Sequence, residues 1–245
     1  IADALPWIPD TPANAGEDEP HTDLGIARRF INRHGDEFRF DGSTWFRWDG
    51  RRWARDVAGL VTHTIASVAR SVSVAAGGDE ITAKAARKQE SSSRVNGSVS
   101  LAAVDPRVYA EGFDAKPYLL PCRNAVIDLR TGLALPPARG DLLCRAVPHD
   151  FDIAATCPRW EAFISEICAD RAALIGFVRR FAGYCLTGEI REHALMLAVG
   201  QGRNGKSVFV ETLMYVLGSE LAQPAAPGLL IASRNERHPA ELMDL

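Results

Sequence analysis

Lysine is scarce in this chain of 245 residues: of 28 cationic side chains only Lys84, Lys88, Lys116 and Lys206 are lysines, and the rest are arginines. No stretch approaches the ~20 consecutive apolar residues of a bilayer span, so no membrane-spanning helix is expected. The chain opens on Ile1 rather than Met and carries no charged–apolar–small signal segment. Among the five cysteines, Cys122, Cys144, Cys157, Cys168 and Cys185, no two have C-x-x-C spacing, which argues against a zinc site. Their odd number and apolar settings predict buried free thiols in a reducing compartment. The six histidines form no local metal motif. A large excess of one charge is also missing. With a formal net charge of -3 the chain cannot coat nucleic acid uniformly, so any such contact needs a local patch.

What charge asymmetry exists lies in the first hundred residues. Residues 1–50 are acidic, whereas residues 51–100 carry Arg51, Arg52, Arg55, Arg70, Lys84, Arg87, Lys88 and Arg94 against four acids. That block reads first as a solvated helix face and second as a DNA-facing patch. Residues 1–21, with four prolines and the run Glu17, Asp18, Glu19, read as a linker or tail. Thr22 or Asp23 should then cap a helix to His34. Two Asp-Gly turns, Asp41-Gly42 and Asp49-Gly50, separate aromatic segments around Phe38, Trp45–Trp48 and Trp53, which predicts a small antiparallel sheet.

Helices are expected over residues 59–76 and 80–90, and a short one near 98–104. Strands are expected at 118–120, 125–129 and 133–135. Pro158 should open a helix to about Ala169. A further helix from about Arg171 to Leu186 places Ile175, Val178, Phe181, Ala182 and Cys185 at core-like spacing. The fold class is mixed α and β, without internal repeats.

One segment carries chemistry. Ala194, Leu195, Met196, Leu197, Ala198 and Val199 form an unbroken apolar run, the pattern of a strand buried on both faces. It leads directly into Gly200, Gln201, Gly202, Arg203, Asn204, Gly205, Lys206 and Ser207, and then into a helix from Val208 to Leu217 stopped by Gly218. Strand, G-x-x-x-x-G-K-S and helix together are the context that a phosphate-binding P-loop requires. Glycines let several N–H groups face one cavity, and the helix adds its positive end. Lys206 would reach the β- and γ-phosphates of ATP, and the Ser207 hydroxyl would ligate Mg²⁺. Lys206 and Ser207 are thus the expected catalytic residues, and Gly200 through Val208 the expected nucleotide-binding set. Hydrolysis also needs an acidic strand. Leu229, Leu230, Ile231 and Ala232 are followed by Ser233 and not by an acid, and Asp128 lies in a hairpin upstream. The ATPase core is therefore expected to be cut short on its C-terminal side.

These segments together resemble the phage and plasmid primase–helicase family, whose ATPase is a superfamily 3 helicase and which has a poxvirus relative. The form G-x-G-x-N-G-K-S, with Asn204 before Gly205, resembles that family's loop. So do the stretch from Cys122 to Gly132, Cys157-Pro158-Arg159-Trp160 followed by Phe163, and the stretch from Gly183 to Gly188. Thr22–Gly25 and the Trp45–Trp53 region are similar to the start of the family's helicase accessory domain. Ala125 departs from the pattern, standing where the family usually has Gly.

The resemblance covers residues 22–245. It implies a mostly helical accessory domain with small antiparallel hairpins over 22–190, followed by the start of a P-loop α/β ATPase domain over 191–245. It further implies a homo-hexameric ring in the full-length protein that moves on single-stranded DNA at the replication fork, without membrane association. ATP hydrolysis would drive duplex unwinding, and the chain alone is expected to be inactive. Two alternatives stay open: a nucleotide- or DNA-binding module without turnover, and a P-loop kinase of another class. The tryptophan–arginine mixture of residues 45–55 could stack on bases, but aromatics so placed more often form the core of a small sheet.

Overall fold

The computed structural model describes residues 19–76 and 80–225. Two compact units emerge. One takes in Trp53–Phe113 and the chain up to Asp49, and the other takes in Gly50–Arg52 and the chain from Asp114 onward.

In the first unit, α1 (Asp23–His34) starts where Thr22 turns extended and its hydroxyl accepts the Gly25 N–H at 3.1 Å. Strands β1 (Phe38–Phe40), β2 (Trp45–Trp48) and β3 (Trp53–Arg55) form an antiparallel meander, with Gly42 and Gly50 both at positive φ in the Asp-Gly turns. Helix α2 (Leu60–Ala75) is capped by Asp56, whose carboxylate accepts from Leu60 N at 2.7 Å and Val61 N at 2.8 Å. Helices α3 (Glu80–Lys88) and α4 (Ser92–Ala103) follow.

The core joins Ile26, Phe30 and Ile31 of α1 to Ile65, Val68 and Val72 of α2, Ala86 of α3, and Val95 and Ala102 of α4. Phe38 and Trp45 close it from the sheet side, with the Phe30 ring 5.3 Å from Phe38 and 6.3 Å, edge-on, from Trp45. Helix α4 begins six residues before the expected position of about 98. It runs through Gly97, where a Cβ would lie 2.7 Å from Asp23 Oδ2 of α1. The glycine is what lets α4 approach α1 closely.

The second unit opens with another antiparallel meander, β4 (Leu119–Pro121), β5 (Val126–Asp128) and β6 (Leu133–Leu135). Ala125 closes the β4–β5 turn, its carbonyl accepting from Cys122 N at 2.8 Å, without the positive φ that would need glycine. Asp128 holds the next turn through Arg130 N at 2.9 Å, with Gly132 at φ 72°. Helices α5 (Pro158–Ile167), α6 (Ala172–Cys185) and α7 (Lys206–Leu217) then gather around Ile164, Cys168 and Phe209.

Three expectations are corrected. Residues 194–199 form no strand: no other described segment pairs with them, and Leu195, Leu197 and Val199 are 69%, 72% and 91% exposed. A strand is a property of a ladder, and an apolar run without a partner cannot hide its side chains or satisfy its amides. The apolar face of α6 is only half-buried, with no residue fully covered. All five cysteines are free, but only Cys122 and Cys168 are buried, and Cys157 is exposed. The expected strand-like segment 229–232 lies outside the described residues.

Candidate functional site

The glycine-rich stretch is a tight loop that feeds α7. Gly205 is the N-cap of that helix with φ 81°, a left-handed conformation that side-chained residues adopt at a cost. Its position is doubly restrictive, because a Cβ would meet Ile167 Cγ2 at 2.7 Å and the Phe163 ring at 3.0 Å. Arg203 is also left-handed, at φ 63°.

The first intrahelical bond of α7 runs from Phe209 N to Gly205 O, at 2.9 Å. The N–H groups of Lys206, Ser207 and Val208 therefore have no acceptor within the helix, and no side chain caps them. Three donors at the positive end of a twelve-residue helix favour an anion.

The expected residues are brought together over this end. Lys206 folds back over the loop, its Nζ 3.1 Å from Gly200 O, 3.3 Å from Gln201 O and 2.6 Å from Asn204 Oδ1. Ser207 is exposed in the first turn, and its hydroxyl has no protein partner among the described residues. Val208 is half-exposed beside it. Gly200, Gln201, Gly202 and Asn204 are at the surface. Among the described residues no group of three or more His, Cys, Asp or Glu side chains is placed to hold a metal ion.

Helix α5 supplies the seat of the loop, a role not read from the spacing of residues 200–207. Phe163 and Ile167 lie under Gly205. Trp160 packs 5.4 Å from Phe163 and stacks at 6.0 Å on Phe209, the buried anchor of α7. Pro158, at the first position of α5, fixes where that helix starts. The signal for this seat was the Cys157-Pro158-Arg159-Trp160 stretch with Phe163, legible as a family-like motif but silent about what it supports.

The other candidates fall elsewhere. Phe46 and Trp53 are buried in the first unit, where Phe46 stacks on Phe113 at 4.4 Å and the Arg39 guanidinium sits 4.7 Å above the Trp53 ring. These rings are committed to the core and do not form an open base-stacking platform. Lys84, Arg87 and Lys88 lie on the exposed side of α3, opposite buried Ala83 and Ala86.

A family model described as D5 N terminal like matches residues 27–169, more than half of the chain. A protein of Acanthamoeba polyphaga mimivirus described as putative helicase L207/L206 is 27% identical over 148 residues, which cover 58% of this chain and 15% of that protein. The chain thus spans a small part of the length of the curated relative it matches. Among the described residues no helix is long and apolar enough to cross a membrane.

Proposed function

This chain belongs to the D5 N-terminal-like family, and on that premise we propose that it is part of a primase–helicase whose residues 200–208 bind the phosphates of ATP. One observation carries the reading. Gly205, in a left-handed conformation, turns the chain into α7 so that the free N–H groups of Lys206, Ser207 and Val208 and the Lys206 ammonium converge on one end of the helix. The donor set suits a polyphosphate: three backbone N–H groups, one ammonium, and one unpartnered hydroxyl on Ser207 of the kind that ligates Mg²⁺ beside a nucleotide. Bound ATP with Mg²⁺ would supply the free energy for movement on single-stranded DNA. In this reading residues 22–190 are the accessory domain and residues 191–245 begin a superfamily 3 ATPase domain. The longer protein would act as a homo-hexamer at the replication fork, in the cytoplasm.

A binding role without turnover is the second reading. Equilibrium titration with a fluorescent ATP analogue and Mg²⁺ tests the shared premise. Wild-type chain should bind, and Lys206→Ala should lose at least tenfold in affinity, as expected when a charged hydrogen bond to phosphate is removed. Equal affinity in the two proteins would refute phosphate binding at this loop. DNA-stimulated ATP hydrolysis by the longer protein would then separate the helicase reading from the binding module.

A further inference from the structure

Lys206 is not free to meet a phosphate. An ammonium has three N–H donors, and all three find acceptors in the loop: two backbone carbonyls, of Gly200 and Gln201, and the side-chain carbonyl of Asn204. The Asn204 bond, at 2.6 Å, is the shortest of the three. It is also the only one made by a side chain, so it is the only one a substitution can remove without rebuilding the backbone. The loop is shaped to permit it. A Cβ at Gly200 would collide with Asn204 Nδ2, so glycine at this position lets the Asn204 amide lie across the backbone and present its oxygen to Lys206. Arg203, left-handed at φ 63°, immediately precedes it in the turn.

We propose that Asn204 is a positioning residue that latches Lys206 onto its own loop in the nucleotide-free protein, so that an incoming polyphosphate must displace the Asn204 oxygen to engage the ammonium. The inference rests on the reading of residues 200–208 as a phosphate-binding loop. It adds a competition within that loop between an internal acceptor and the ligand. The latch keeps the cation over the helix end when no anion is present, and it lowers the apparent affinity by whatever the Asn204 bond is worth. For one hydrogen bond to a charged group at a partly exposed site, that is about fivefold in binding.

Two measurements on the full chain test this. The first needs no nucleotide. Pulse acetylation of lysines, read peptide by peptide by mass spectrometry, should label Lys206 several-fold faster in Asn204→Ala than in wild type. Asn204→Asp, which keeps an acceptor at the same reach, should restore protection. Lys84, Lys88 and Lys116 serve as internal references, and equal labelling of Lys206 in wild type and Asn204→Ala overturns the latch. The second is titration with a fluorescent ATP analogue and Mg²⁺, in which Asn204→Ala should bind about fivefold more tightly than wild type. Faster labelling with unchanged or weaker affinity would overturn the competition with phosphate. If wild type and Lys206→Ala bind the analogue equally, the phosphate-loop reading fails, and the labelling result still decides whether the latch exists.

Discussion

The two units solve the same problem, burying an apolar face, to different degrees. In the first, four helices and a sheet close on one another, and Phe30, Ile65, Ala69, Trp53 and Val108 lose all solvent exposure. In the second, the apolar residues of α6 stay half-covered, and Leu195, Leu197 and Val199 stand in water. Both regions have the right pattern for a core. The difference is supply of partners. In the first unit every amphipathic face meets another within about ninety residues of chain. In the second, the run that reads most strongly as a buried strand pairs with no strand among the described residues, and only Met196 of it packs into a cluster. Periodicity states which side of an element seeks cover; it does not state that cover is present.

The largest expected effect lies in the closed core. Phe30→Ala removes a ring that touches α2, Phe38 and Trp45 and leaves a cavity without access to water. It should cost about 3–5 kcal/mol, read as a shift of the urea midpoint followed by far-ultraviolet circular dichroism. A cost below about 1 kcal/mol would mean that the first unit is as loosely packed as α6, and the contrast would disappear. Next in size is Gly205→Ala, at a tight point of the second unit. Left-handed backbone and contact with Ile167 and Phe163 act together there, and the sum should be about 2–4 kcal/mol. Tryptophan fluorescence reports it locally, since Trp160 packs against Phe163 and Phe209. The same variant should lose binding of the ATP analogue.

Most of the first unit was legible because its signals are local. Thr22 as a cap, Asp-Gly as hairpin turns and 3.6-residue spacing each act within a few residues, and each element formed where they pointed. Helix α4 starts at Ser92 rather than near 98, and nothing local shows that its Gly97 is where α1 brings Asp23 against it. In the candidate site the motif from Gly200 to Ser207 was legible as spacing. The platform of Trp160, Phe163 and Ile167 was not, since contacts across forty residues leave no periodic trace. Nor does sequence reveal that Lys206 bonds to Asn204, two positions away, because that choice depends on the left-handed turn at Arg203.

A smaller effect should appear at alkaline pH. Burial is the largest cause that pushes the Cys144 thiol up to about 12, assisted by its bond to Asp114, with Sγ 2.9 Å from Oδ2. The unfolded chain ionises this thiol near its ordinary value of 9.0, while the folded chain holds the proton. Folding therefore binds the proton more tightly. The stability it contributes is complete below pH 9 and is lost as pH rises toward 12. Cys144→Ser, whose hydroxyl can donate the same bond, should flatten that slope. Iodoacetamide at pH 8 should alkylate exposed Cys157 well before Cys144. A Cys144 as reactive as Cys157 would show that the thiol is not held by Asp114.

The smallest effect sharpens the comparison most. Leu197 is apolar, lies in the run that reads as a buried strand, and is 72% exposed. Leu197→Ser exchanges one solvated side chain for another and should change stability by less than about 0.5 kcal/mol. The neighbouring Met196 is different, because it packs with α5, α6 and α7 around Ile164 and Phe209. Met196→Ser should therefore cost measurably more, about 1–3 kcal/mol, by opening that cluster and placing a hydroxyl against it. Alternation between a silent Leu197 and a sensitive Met196 is the signature of a segment covered on one face only. Equal and large losses at both positions would mean that this run is covered on both faces in solution, as its sequence demands, and that the second unit closes its core as fully as the first.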